Sequence, residues 1–114
     1  MDYSNYRNRI IEVGPFVFNC STHFLERRLQ RSVNWESVQV ALLNGESFYK
    51  QGLTFHVIGE RKDYHALKPS QKTNCRNLVV VMNENDNLLL TVYRSKNPFK
   101  HVKKKSKKLK KQFI

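Results

Sequence analysis

Two nearly continuous apolar runs in the second half of the chain constrain its fold more than any other feature. Residues 78–82 read LVVVM and residues 88–94 read LLLTVYR, and five polar residues separate them. Runs of this kind are typical of central strands whose two faces are both covered. The two runs therefore predict a hairpin at the centre of a sheet.

A second hairpin is predicted just before a long polar stretch. Residues 47–50 and 53–58 are β-prone and flank residues 51–52, a Gln-Gly pair that suits a tight turn. His56 alternates with apolar neighbours in the second of these strands, which indicates a residue on the face of the sheet rather than a ligand. The polar connection that follows, residues 59–77, is long for a small domain and is typical of a functional or disordered segment.

Two helices are predicted upstream of these strands. Residues 21–31 begin with Ser21 and Thr22, which are both good N-cap residues, and their apolar positions form one stripe of a 3.6-residue helix. Residues 34–44 begin with Asn34 as N-cap and are expected to end at Gly45 in the left-handed conformation. Because about three residues join the two helices, they are expected to form an antiparallel helical hairpin.

Taken in order, these elements predict an α+β fold in which an N-terminal helical hairpin packs on a four-stranded antiparallel sheet. A chain of 114 residues has room for one such domain. We expect residues 1–15 to form a lead-in, residues 16–98 the domain and residues 99–114 a lysine-rich tail. Residues 16–20 are β-prone, so a short strand is expected to deliver the chain to the first helix.

The positive charge of the chain is concentrated at its C-terminal end. The formal net charge is +12 and the pI is about 10.0. Nine of the 21 lysines and arginines lie between Lys96 and the C-terminus, where there is no acid, which leaves twelve against nine acids elsewhere. This excess predicts a polyanionic partner, nucleic acid first and an anionic membrane surface second. Because no lipidation signal or amphipathic stretch accompanies the lysines, no membrane partner is expected.

The tail lysines are the first candidates for nucleic-acid contacts. A lysine that neutralises a phosphate adds about one unit to the slope of log affinity against log salt. Such contacts give affinity without sequence information. The candidates are Lys100, Lys103, Lys104, Lys105, Lys107, Lys108, Lys110 and Lys111.

The cysteine and histidine pattern indicates neither a metal site nor a secreted protein. Cys20 and Cys75 lack CxxC spacing, and the four histidines are scattered without ligand spacing. We expect two reduced thiols, with a disulfide between them as the alternative, and neither a metal nor a cofactor. The chain has no apolar run of 18 residues and no signal-peptide pattern at its N-terminus. These features predict a cytoplasmic protein.

The order of motifs in residues 16–95 resembles a family of small bacterial domains. The motifs that carry this resemblance are residues 22–28 (THFLERR), 33–38 (VNWESV), 41–45 (ALLNG) and 89–93 (LLTVY). They are similar to an S/T-x-H-A-x-x-R opening, a small turn, a capped helix ending in A-L-x-x-G, and a hairpin closing on T-V-Y. This family is grouped with the RelE-, ParE- and BrnT-like toxins. More widely, it is grouped with metal-independent endoribonucleases of the barnase, EndoU and colicin-nuclease kind.

The resemblance implies a toxin-like domain of bacterial or phage origin with a RelE-like fold. Such a domain cleaves RNA without a metal, either free or on the ribosome, and an acidic antitoxin protein is its expected partner. The chain departs from the family at Phe24, where alanine is usual, and in its lysine tail. The tail suggests a built-in anchor for nucleic acid.

The candidate catalytic residues follow from what metal-free RNA cleavage needs: a base for the 2′-OH, a cation for the phosphorane and an acid for the leaving oxygen. By the matched motif, His23 is the expected base or acid and Arg27 the phosphate clamp. Tyr93 is the candidate acid or base-stacking ring. On charge and position alone, further nucleic-acid contacts are expected from Arg61, Lys62, His65 and Arg94.

Each catalytic candidate also has a purely structural interpretation. A histidine in the first turn of a helix often caps or packs locally, and Arg27 can pair with Glu26 in an exposed contact worth about 0–1 kcal/mol. Tyr93 at a strand end suits a core or rim position. Two further functions therefore stay open: a non-catalytic nucleic-acid- or ribosome-binding module of the same fold, and a ParE-like toxin that acts on a protein target.

Overall fold

A computed structural model gives the fold of residues 9–59, 68–100 and 102. The described part contains six strands and three helices of seven to ten residues, and residues 98–100 and 102 are also helical. In chain order the elements are β1 (Arg9–Val13), β2 (Phe16–Cys20), α1 (Thr22–Gln30), α2 (Trp35–Asn44), β3 (Glu46–Lys50), β4 (Leu53–Ile58), α3 (Pro69–Cys75), β5 (Leu78–Asn83) and β6 (Leu88–Arg94).

All six strands belong to one mixed sheet in the order β1-β2-β6-β5-β4-β3. Every pair of neighbours is antiparallel except β2 and β6, which run parallel where Asn19 and Cys20 lie opposite Leu88 and Leu89. The fold is α+β, but the predicted four-stranded antiparallel sheet behind an N-terminal helical hairpin is wrong. Two strands precede the helices and extend the sheet beyond β6.

The β1–β2 hairpin explains the difference from the predicted fold. Its strands are only five residues long and are joined by Gly14 and Pro15. Gly14 has φ +59°, a left-handed conformation that glycine adopts without a steric penalty. The parallel contact with β6 joins segments about 70 residues apart, and no local pattern in β2 announces it.

Both predicted helix starts are confirmed. The Ser21 hydroxyl accepts a hydrogen bond from the backbone N–H of Phe24 at 3.0 Å, and the Asn34 side chain accepts one from the N–H of Ser37 at 2.7 Å. The helices do not pack along each other as a hairpin. Instead α1 packs on β6, whereas α2 packs on β4 and β5 with α3 against it.

The end of α2 differs from the predicted left-handed cap. Gly45 has φ −72° and ψ 155°, an extended conformation that any residue can adopt. A Cβ at this position would lie 2.5 Å from the backbone oxygen of Ala41. Glycine is therefore required here by the close approach of two backbones and not by its φ angle.

The two faces of the sheet are covered by different parts of the chain. The helix face, under α1, α2 and α3, buries a large cluster that includes Phe24, Val38, Val80 and Leu89. The opposite face carries a smaller cluster, which is covered at its edge by the helical residues after β6. The members of this smaller cluster are Phe55, Val57, Val79, Val81 and Val102, with Phe48, Leu53, Tyr93 and Phe99 packed against them. The expectation that β5 is covered on both faces is confirmed, since five of its six residues are buried.

The residues after β6 are anchored to the sheet before the run of tail lysines begins. Val102 is fully buried, and the ring of Phe99 lies edge-on to that of Phe48 with 6.0 Å between centroids. A Cβ on Gly59 would come within 2.4 Å of the Phe99 ring, so glycine leaves the space that this ring occupies. Residues 103–114, which hold seven of the candidate lysines, lie outside the described residues.

Two further predictions concern the thiols and the membrane. Cys20 and Cys75 are both buried, and no disulfide joins them, so the reduced state of the two thiols stays a prediction. None of the described helices is long and apolar enough to cross a membrane.

Candidate nucleic-acid interface

His23 and Arg27 lie together on the outer surface of α1. They are one turn apart, and Arg27 Nε donates a hydrogen bond to His23 Nε2 at 3.3 Å. Arg27 Nη1 also donates to the side-chain oxygen of Gln30 at 3.1 Å. We call His23 and Arg27 the α1 row. In it the arginine is held by neighbours on its own helix, and His23 Nε2 is the acceptor for Arg27.

Tyr93 lies away from the α1 row. The preceding residue, Val92, points into the core beneath the helices, so Tyr93 points to the opposite face of the sheet and packs against the smaller cluster. Burial raises the pKa of Tyr93 to about 12, and the positive charge of Arg31 offsets part of this rise. The structure therefore brings two of the three catalytic candidates together and places the third on the other side of the sheet.

Arg94, a predicted nucleic-acid contact, closes the end of α3. Its Nη1 donates hydrogen bonds to the backbone oxygens of Asn74 and Arg76 at 2.8 and 3.2 Å. These are carbonyls at the C-terminal end of α3, where a positive charge also complements the helix dipole. This contact fixes the Arg94 guanidinium at the point where α3 passes into β5.

A cleft opens beside Arg94 at the C-terminal end of β6. It has a volume of about 370 Å³, and we call it the β6 cleft. Its lining residues come from the α3–β5 turn and from the end of β6: Arg76, Asn77, Arg94, Ser95 and Lys96.

The backbone of the α3–β5 turn explains why these residues meet. Asn77 has φ +60°, a left-handed conformation that asparagine tolerates better than most residues, and it turns the chain from α3 into β5. Leu78 then lies opposite Arg94 in the hairpin, and the backbone N–H of Ser95 donates to the Asn77 oxygen at 2.9 Å. The end of β6 and the start of β5 are thus tied at the floor of the cleft.

The chemistry of the β6 cleft suits an anion. Three of its five lining residues are cationic, and the other two offer a neutral amide and a hydroxyl. The described lining contains no carboxylate to repel a phosphate, no aromatic ring on which a base could stack, and no histidine to move a proton. The cleft can therefore hold a phosphate group but supplies no acid–base pair of its own.

A further arginine lies near the same end of β6. Arg31, which follows α1, donates from Nη1 to the backbone oxygen of Val92 at 2.9 Å. Arg94 is two residues further along the strand. Arg31 therefore places a further positive charge near the C-terminal end of β6.

The remaining candidates fall into two groups. Lys100 is exposed on the helical residues that follow the cleft. The other candidates lie outside the described residues, and their predicted roles stay predictions: Arg61, Lys62, His65, Lys103, Lys104, Lys105, Lys107, Lys108, Lys110 and Lys111.

His56 lies on the helix face of β4, which agrees with its interpretation as a sheet-face residue. It is buried, and its Nδ1 lies 3.2 Å from the Ser47 hydroxyl. Among the described residues its Nε2 has no hydrogen-bond partner, and burial lowers the pKa of the imidazole. Within the described part of the chain, no group of three or more His, Cys, Asp or Glu residues is placed to hold a metal ion.

Sequence reasoning did not select four of the cleft residues: Arg76, Asn77, Ser95 and Lys96. The signal that identifies one of them, Arg76, was present in the predicted central hairpin. Antiparallel pairing of residues 78–82 with 88–94 places the residue before one strand beside the residues that end the other. Arg76 and Arg94 meet for this reason.

Comparison of the chain with protein-family models, curated proteins and solved structures finds no match. The resemblance to the RelE-like toxins, the antitoxin partner and the cytoplasmic location therefore stay predictions.

Proposed function

We propose that this protein binds the phosphate backbone of RNA at the β6 cleft, as a nucleic-acid-binding module that does not cleave its ligand there. One observation carries the proposal: Arg76, Arg94 and Lys96 line the same cleft with no carboxylate among its described residues. Their combined positive potential attracts a phosphate group, and phosphate binding releases counterions from the nucleic acid.

Arg94 is suited to hold a phosphate at this position. Its contact with the end of α3 uses Nη1, and a guanidinium has further N–H groups in the same plane. The carbonyl contacts fix the plane before any ligand arrives, so little side-chain entropy is lost on binding. Lys96 adds a flexible point charge beside it.

The position of the lysine tail in the sequence also supports nucleic-acid binding. It follows the β6 cleft directly in the chain, and Phe99 and Val102 anchor its first residues to the sheet. Lysines beyond this anchor would add affinity for the same ligand without reading its sequence. Nucleic-acid binding thus accounts both for the cations of the β6 cleft and for the lysines of the tail.

The α1 row supports a second candidate, the metal-independent endoribonuclease. The observation in its favour is the 3.3 Å hydrogen bond from Arg27 Nε to His23 Nε2. Once Arg27 turns from His23 Nε2 to a phosphate, the imidazole can take a proton from a 2′-OH and the guanidinium can stabilise a phosphorane. Tyr93 does not belong to this version of the mechanism, because it lies on the opposite face of the sheet.

One experiment separates the two candidates. Labelled RNA is incubated with the purified protein in EDTA, and bound RNA and cleaved RNA are measured on parallel native and denaturing gels. We expect a shift without cleavage, and we expect Arg76→Gln and Lys96→Gln to weaken that shift while His23→Ala leaves it unchanged. Intact affinity in both cleft variants would overturn the proposal.

Cleavage is the other informative outcome. Products with cyclic phosphate ends that disappear in His23→Ala would support the endoribonuclease at the α1 row. Circular dichroism of each variant confirms that the fold is retained, and a parallel titration with DNA of the same sequence tests the preference for RNA.

A further inference from the structure

The β3 strand leaves one edge of the sheet open. It pairs only with β4, and within the described part of the chain no strand lies on its other side. Ser47 and Tyr49 are exposed on this edge, the tyrosine by 65%. An open edge presents backbone N–H and C=O groups that a further strand can pair with.

The five residues of β3 are complementary to themselves. In an antiparallel pair, two directly opposed residues either both point their backbone N–H and C=O groups at the other strand or both point them away. In a symmetric dimer the two-fold axis must therefore lie between a residue and the same residue of the second copy. When the axis passes at Phe48, Glu46 of each copy lies opposite Lys50 of the other. Both charged side chains point to the same face as Phe48, so each carboxylate meets an ammonium across the pair.

Other alignments lack this match. A shift of two residues in β3 places Glu46 opposite Phe48, so that the carboxylate and the ammonium no longer face each other. The other sheet edge, β1, lacks it too, because an alignment through Ile11 places Ile10 opposite the carboxylate of Glu12. The charge pattern therefore selects one edge and one register.

The side chains beside the charged pair also favour contact. Phe48 is partly buried and already touches Phe99, so the axis at Phe48 brings two Phe48–Phe99 pairs together. On the opposite face, the exposed ring of Tyr49 would lie across from the small side chain of Ser47. The contact covers the large apolar ring that β3 leaves in water.

We propose that two copies of this chain associate edge to edge through β3, in antiparallel register with the axis at Phe48, and join their sheets into one. The pairing is independent of the proposed nucleic-acid binding. One five-residue strand from each copy buries less than the roughly 1,200 Å² that is usual for stable complexes. The dimer is therefore weak and reversible, and its population rises with protein concentration.

Sedimentation velocity of the full chain over a concentration series tests the proposal. The protein is first freed of nucleic acid, and salt is held at about 0.15 M because two copies of net charge +12 repel one another at low salt. The wild type is expected to shift from monomer to dimer. Glu46→Lys and Lys50→Glu, measured alone, are each expected to raise the dissociation constant by about tenfold or more, because like charges then face each other.

Two rescue measurements make the test specific for this register. An equimolar mixture of the two single variants is expected to dimerise, because every cross-strand pair in the mixed dimer joins opposite charges. The double variant Glu46→Lys/Lys50→Glu is expected to dimerise as the wild type does. A wild type that stays monomeric at all concentrations, single variants that dimerise normally, or a mixture that stays monomeric would each overturn the proposal.

Discussion

The α1 row and the β6 cleft are both basic, but the fold assembles them in different ways. His23 and Arg27 are four residues apart and meet because one helical turn separates them. Arg76 and Arg94 are 18 residues apart and meet because two strands pair. The row is complete within one helix, whereas the cleft exists only when β5, β6 and α3 are all in place.

The two regions also differ in what holds their cations. In the α1 row, Arg27 donates to His23 and Gln30, two side chains of its own helix. In the β6 cleft, Arg94 donates to backbone carbonyls at the end of another helix. Backbone acceptors are fixed by the fold, so the cleft is the more rigid of the two anion sites. Rigidity reduces the entropy lost on binding, and this favours the cleft as the main phosphate site.

Charge reversal should give the largest difference in RNA affinity between variants of the β6 cleft and variants of the α1 row. Arg76→Glu and Lys96→Glu are each expected to weaken RNA binding by about tenfold, and the double variant by about 100-fold, because an attractive charge becomes repulsive at the phosphate. Arg27→Glu changes the net charge as much as either single variant but acts from outside the cleft. We expect it to weaken binding by about twofold at most, as measured by fluorescence anisotropy near 0.15 M salt.

The matched charge change makes the comparison decisive. If Arg27→Glu costs as much affinity as Lys96→Glu, the ligand contacts α1 directly and the cleft is not the main site. If all three variants bind normally, the affinity comes from the tail alone.

A smaller effect is expected when the charge is kept and only the shape of the cation changes. Arg94→Lys retains the positive charge but lacks the planar guanidinium that contacts both carbonyls through Nη1 and keeps further N–H groups for a phosphate. We expect a loss of about 1 kcal/mol in the free energy of unfolding, measured with urea, and a severalfold loss of RNA affinity. Arg27→Lys is the control on the row and should change neither quantity appreciably. An Arg94→Lys variant as stable as the wild type would mean that these carbonyl contacts do not support the cleft.

The sequence revealed the parts of the fold that depend on local pattern. The N-caps at Ser21 and Asn34, the Gln-Gly turn, and the apolar runs of β5 and β6 were all predicted, because each depends on residues within a few positions of each other. The parallel contact of β2 with β6 was missed because it joins segments about 70 residues apart.

The candidate site divides in the same way. The α1 row was predicted from spacing on one helix. The β6 cleft was not, since Asn77, Ser95 and Lys96 have no shared motif and acquire a common position only through the β5–β6 register. Arg76 and Arg94 could have been paired from that register once the hairpin was predicted.

The smallest expected effect concerns the pH dependence of the free energy of unfolding, in which the two histidines of the described part of the chain differ. His23 lies on the exposed row, whereas His56 is buried in the sheet, where burial lowers its pKa. The unfolded chain therefore binds a proton at His56 more readily than the folded chain does. The stability that follows is fully present above the unfolded pKa of about 6.5 and is lost as the pH falls below it toward the folded pKa.

Urea unfolding of the wild type between pH 5 and 7.5 should thus show a free energy of unfolding that decreases toward the acidic end. His56→Gln removes the titrating group and should flatten this dependence, even if its stability near pH 7.5 differs from that of the wild type. His23→Gln is the matched substitution at an exposed position and controls for the change of residue type. A pH dependence that survives His56→Gln would mean that the buried imidazole does not set it.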